Sequence, residues 1–110
     1  MKLANKHIFV TGGAKGIGAA IVQDAADEGA AVSFIDIDVS AGEKLAAQLN
    51  NSGKKAFFAK ANAANFEELK SAFNQAVSKF GDVTGVVNNA GVNSHADPVT
   101  MTDKEWDDFF

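Results

Sequence analysis

The chain has no cysteine and no tyrosine among its 110 residues, and only one proline and one tryptophan. Without cysteine there is no disulfide, no thiolate zinc site and no thiol nucleophile. Without tyrosine, no mechanism that needs a phenolic acid or base runs on these residues alone. Long apolar runs are also missing; none approaches the roughly 20 residues that span a bilayer. The first ten residues hold no secretory apolar segment, so a cytoplasmic location is the default expectation. Basic charge is scarce, with 10 Lys+Arg against 14 Asp+Glu and a net charge of −4. Nucleic acid and anionic membranes repel such a surface, and neither is expected as a partner. What remains is ordinary: 46% hydrophobic and 22% charged residues, a balance that fits a folded domain and not a disordered tail. The length allows a single domain over residues 1–110.

Short β-prone runs alternate with longer segments of helical periodicity. Residues 7–10 read as a first strand running into Thr11-Gly12-Gly13. Residues 16–28 follow as a helix, with Ile17, Ile21, Val22 and Ala25 at helical spacing and Gly29 as its stop. A second strand over 31–35 ends at Asp36. Ser40 with Glu43 reads as a capping box opening a second helix, closed by Asn51-Ser52-Gly53. A third strand covers 56–59. Asn65 caps a third helix that carries Leu69, Phe73 and Phe80 and ends at Gly81. A fourth strand over 83–87 enters Asn88-Asn89-Ala90-Gly91. A loop containing Pro98 then leads to Thr102 and Glu105, the start of a fourth helix stapled by Met101 and Trp106.

This βαβαβαβα order predicts an α/β fold, a parallel sheet with helices on both faces. Right-handed crossovers favour the Rossmann-like strand order 3-2-1-4, truncated here after the start of the fourth helix. Ligands of such sheets bind beyond the carboxyl ends of the strands at the switch between strands 1 and 4. The two Gly-containing segments, after strands 1 and 4, fall there.

Thr11-Gly12-Gly13-Ala14-Lys15-Gly16-Ile17-Gly18 is a strand-to-helix turn suited to a diphosphate. Gly12, Gly16 and Gly18 allow a tight turn and close approach, and the helix N-terminus supplies N–H groups and positive potential. Asp36 follows Gly18 at the end of strand 2, where a carboxylate accepts both ribose hydroxyls and repels a 2′-phosphate. Asp38 reads as an acidic turn residue. Lys15 pulls the other way, as a cation that could meet a 2′-phosphate. No Arg or Lys follows Asp36, where Ile37 stands instead. The carboxylate outweighs the ammonium, so NAD is expected as cofactor, with NADP second. Asn88 and Asn89 can bridge strand-end loops and contact a nucleoside. Asn62, after strand 3, could contact adenine, although loop asparagines commonly form turns. His7 and His95 are not spaced for a metal, and no metal site is expected.

Together, the glycine turn, Asp36 and Asn88-Asn89-Ala90-Gly91 resemble the short-chain dehydrogenase/reductase family over the whole chain. The resemblance implies reversible hydride transfer between a nicotinamide cofactor and an alcohol or carbonyl. It implies that Gly12, Gly16, Ile17 and Gly18 line the diphosphate and that Asp36 holds the ribose. Asn62 and Ala63 would lie against adenine, where the family more often has Asp at position 62. Asn88, Asn89, Ala90 and Gly91 would border the adenosine side. The family's catalytic Ser, Tyr, Lys and Asn lie beyond the matched segment, so no catalytic residue is assigned. Steady NADH turnover by these 110 residues would contradict that expectation. Two other readings stay open: a nucleotide-binding module that works as it stands, and a structural domain that pairs with a partner. The fourth strand is expected on an open edge exposing Val83, Val86 and Val87, favouring self-association or pairing with a C-terminal half.

Overall fold

The computed structural model describes residues 2–89 and 99–101. Ala90, Gly91, His95, Pro98 and the expected fourth-helix start lie outside the described residues. The elements run β1 (His7–Thr11), α1 (Gly16–Asp27), β2 (Ala31–Asp36), α2 (Val39–Asn51), β3 (Lys55–Lys60), α3 (Phe66–Phe80), β4 (Gly85–Asn88) and β5 (Val99–Met101). The sheet order is β3-β2-β1-β4-β5, so the expected 3-2-1-4 core is present. Its pairings are parallel, with Thr11 level with Ile35 on one side and with Asn88 on the other. The carboxyl ends of β1, β2 and β4 therefore open at the same end of the sheet.

Alternation along each strand divides the core into two layers. Val10, Phe34 and Ala56 face α1 and α2, meeting Val22, Ala25, Leu45 and Leu49. Their neighbours Phe9, Ile35 and Val86 face α3, meeting Leu69, Ala72 and Ala76. Phe9, Val10, Val32 and Phe34 are fully buried. Near-continuous apolar strands are what a sheet covered on both faces needs. Each such side chain contributes about 1.5–3 kcal/mol on burial. The Asn65 side chain accepts the Glu68 N–H and caps α3, and Gly81 ends that helix at φ 85.

Three expectations need correction. α2 begins one residue before Ser40: Asp38 is the N-cap, and its Oδ1 accepts the Ala41 N–H at 3.1 Å. Asp38 sits three residues before Ala41, the spacing an N-cap carboxylate requires, which leaves Ser40 inside the first turn. β4 begins at Gly85 and not at 83. The entry to β4 is held by Thr84, whose N–H donates to the His7 carbonyl at 2.8 Å. β4 is also not an edge strand. β5 pairs with it antiparallel, Val86 level with Met101 and Asn88 level with Val99. The unpaired N–H and C=O groups of an open edge are thus met by the chain's own backbone. Val83 and Val86 are buried, 8% and 1% exposed.

Candidate functional site

The turn after β1 rests on two glycines with positive φ, Gly12 at 66 and Gly16 at 57. A Cβ on Gly18 would stand 1.8 Å from the Gly12 carbonyl oxygen and 2.8 Å from Asn89 Nδ2. Only glycine lets α1 start this close to β1. Nothing stands within 4 Å of where a Cβ on Gly16 would be, so space is open above the start of α1. α2 and α3 are capped by side chains; α1 has no side-chain cap and no acidic residue in its first turn. Its N–H groups and dipole are left for an anion from elsewhere. Gly13 has a different reason to be glycine, since a Cβ there would meet Phe34 Cβ at 2.6 Å.

Asp36 ends β2 beside this turn. Its Oδ2 accepts the Ala14 N–H at 3.1 Å and its Oδ1 accepts the Asp38 N–H at 3.0 Å. The carboxylate thus joins the β1–α1 turn to the β2–α2 turn and is fixed before any ligand arrives. Each oxygen has a second lone pair for a hydroxyl donor. Lys15 Nζ lies 3.3 Å from Asp38 Oδ2. The Ala41 N–H and then the Lys15 ammonium hold the Asp38 carboxyl below its usual range.

Asn88 and Asn89 tie the end of β4 to the end of β1. Thr11 Oγ1 donates to Asn88 Oδ1 at 2.9 Å and accepts the Asn89 N–H at 3.0 Å. Asn89 Nδ2 donates to the Gly12 carbonyl at 3.0 Å. The two amides therefore bridge strand ends, as their position in the sequence suggests. Asn62 forms a turn: its Oδ1 accepts the Ala64 N–H at 2.9 Å, and its own N–H donates to Glu68 Oε1 at 3.0 Å.

Gly12, Asp36, Ile37, Asn62, Ala63 and Asn88 line one cleft of about 300 Å³. That is at the small end of the range for ligand clefts. The structure thus brings together residues from four separate segments of the chain. Lys15, Gly16, Ile17 and Gly18 stand at the adjoining helix start, outside the lining. Ile37 was not assigned a role from sequence, yet it is 67% exposed and forms a wall of the cleft. The signal was an apolar residue directly after a strand-ending aspartate. A roomier hollow of about 690 Å³ lies along α3 beside Phe57, but the helix start it touches at Glu67 is already capped by Asn65 and carries acidic residues, and no glycine turn borders it. Among the described residues no His/Asp/Glu group could hold a metal, and no helix is long and apolar enough to cross a membrane.

The family model for short chain dehydrogenase matches residues 6–110. The chain belongs to that family. A probable galactose dehydrogenase, GalD, of Rhizobium meliloti is 37% identical over 96% of this chain and 42% of its own length. A 3-oxoacyl-[acyl-carrier-protein] reductase, FabG, of Staphylococcus epidermidis is 36% identical over 94% of this chain and 43% of its own. Among solved structures, a short-chain dehydrogenase/reductase from Serratia marcescens superposes with a TM-score of 0.80. It is 44% identical and covers 84% of this chain and 38% of its own. A blue fluorescent protein from a metagenomic library, in complex with NADPH, superposes at 0.79 with 37% identity, covering 84% and 38%. The chain spans about 42% of the length of the curated relatives it matches. The short-chain dehydrogenases bind nicotinamide dinucleotides, and the glycine cradle, the uncapped α1 and the adjoining cleft fit such a molecule.

Proposed function

We propose that this chain forms the adenosine and diphosphate part of the cofactor site in an NAD-dependent oxidoreductase acting on an alcohol or carbonyl substrate. The observation that carries the NAD reading is Asp36. Its carboxylate is fixed by two backbone N–H donors and lines the cleft beside the glycine turn. There it would accept ribose hydroxyls and repel a 2′-phosphate. Backbone N–H groups of Gly16, Ile17 and Gly18 would hold the diphosphate. Ile37 and Ala63 would enclose the adenine, with the Asn62 amide N–H groups as donors at its edge. Asn88 and Asn89 would keep the floor of the site in register, and Ala90 and Gly91 would continue that border. The Lys15 ammonium would stay with Asp38 and make no phosphate contact.

When bound, the nicotinamide ring supplies the hydride acceptor or donor. Substrate binding and proton transfer would belong to the part of such a protein that these residues do not span. A partner segment extending the sheet beyond β5, and a cytoplasmic supply of cofactor, both fit this reading.

Calorimetry with NAD and NADP on the wild type and Asp36→Ala tests the proposal. Loss of charge-assisted hydrogen bonds costs about 1.5–3 kcal/mol, so NAD affinity should fall at least tenfold. NADP affinity should hold or rise. Equal NAD affinity in the two proteins would refute the assignment. A thermal melt of the variant separates lost binding from lost folding, since Asp36 also anchors Ala14 and Asp38.

A further inference from the structure

Lys15 sits at the N-cap of α1, one residue beyond Ala14, whose N–H donates to Asp36 Oδ2. Its backbone is thereby tied beside the carboxylate that would receive the ribose. A free ammonium here would reward a 2′-phosphate and undo the discrimination that Asp36 provides. The ammonium is not free. Asp38 Oδ2 lies 3.3 Å from Lys15 Nζ, while Asp38 Oδ1 is committed to the Ala41 N–H. The Asp38 N–H in turn donates to Asp36 Oδ1. Asp38 is therefore held at three points, by its role as cap of α2, by Asp36 and by Lys15. Lys60, level with Asp36 in the sheet, lines hollows beside α2 and α3 and not this cleft.

We infer that Asp38 is a specificity-determining residue: it holds the Lys15 ammonium away from the ribose site and so keeps a nearby cation from recruiting a 2′-phosphorylated dinucleotide. The inference rests on the NAD reading above and deepens it. The pair is exposed, with the Lys15 side chain 64% exposed and that of Asp38 35% exposed. Exposed pairs are weak, so the effect is a moderate bias added to that of Asp36 and not a substitute for it.

Asp38→Asn is the informative variant, because Asn caps a helix as well as Asp and removes only the charge. NAD and NADP are titrated into the wild type, Asp38→Asn, Lys15→Met and the double variant, each checked for an unchanged melt. In Asp38→Asn, NADP affinity should rise about fivefold relative to NAD, the upper range for releasing an exposed pair. In the wild-type background, Lys15→Met should change both affinities by the same factor. Added to Asp38→Asn, it should abolish the gain. No gain in Asp38→Asn, or an equal gain with and without Lys15, overturns the inference and leaves the NAD reading standing. A wild type that prefers NADP, or that binds neither dinucleotide, overturns the NAD reading and the inference together.

Discussion

His7 has 3% of its surface exposed, yet it is a titratable group at the start of β1. Its Nδ1 lies 2.9 Å from the Gly81 carbonyl, which can only accept, so Nδ1 carries the proton. Nε2 then accepts the Ser33 hydroxyl at 2.7 Å. The ring packs edge-on against Phe80. Burial outweighs the Gly81 hydrogen bond and lowers the His7 pKa below its ordinary value. The unfolded chain therefore takes up a proton at a higher pH than the folded one. Stability is intact above about pH 6.5 and falls as the pH drops from there through the lower folded value. His7→Leu should remove this dependence. At pH 7.5 it should also cost about 1–3 kcal/mol, because the fully buried Ser33 hydroxyl loses its partner. Urea unfolding of both proteins at pH 7.5 and pH 5.5 checks this. An equal loss of stability on acidification in the two proteins would contradict the role given to His7.

The contact between α1 and β1 is set by a single missing methyl group. Gly18→Ala would drive a Cβ into the Gly12 carbonyl, which is backbone and cannot swing aside. Overpacking of this kind costs about 1–3 kcal/mol. Here it also pushes the helix N-terminus off the turn, so NAD binding should be lost while the sheet survives. Circular dichroism with a dinucleotide titration reads both, and unchanged NAD affinity would count against the cradle. Much of this was legible in the sequence, since glycine spacing, Asp36 and the Asn65 cap are local signals. The Asp38 cap was less so: Asp38 and Ser40 both precede a helical run, and only the geometry at Ala41 separates them. β5 was not legible at all. Three residues carry no periodicity, and their pairing depends on a register with β4 that only the folded sheet provides. Ile37 was legible as an oddity but not as a wall, because its role needs the β3–α3 loop brought opposite it.

At the scale of the whole molecule, two apolar layers clamp a sheet whose carboxyl ends meet at β1, β2 and β4. The strand order determines where the site lies, since the crossover from β3 back to β4 opens the end of the sheet beside the glycine turn. Both sheet edges are modest: β5 has three residues, and β3 carries Lys55 and Lys60 at its ends, as edge strands that avoid pairing commonly do. The hollow along α3 is roomier, but the uncapped start of α1, the glycine turn and the Asp36 carboxylate favour the smaller cleft for the proposed dinucleotide. Amide chemical shifts recorded while NAD is titrated into the labelled chain decide between them. Saturable shifts are expected at Gly12, Gly16, Ile17, Gly18, Asp36, Ile37, Asn62 and Ala63. No shifts, or shifts gathered at Ser71, Asn74 and Gln75 on α3, would contradict it.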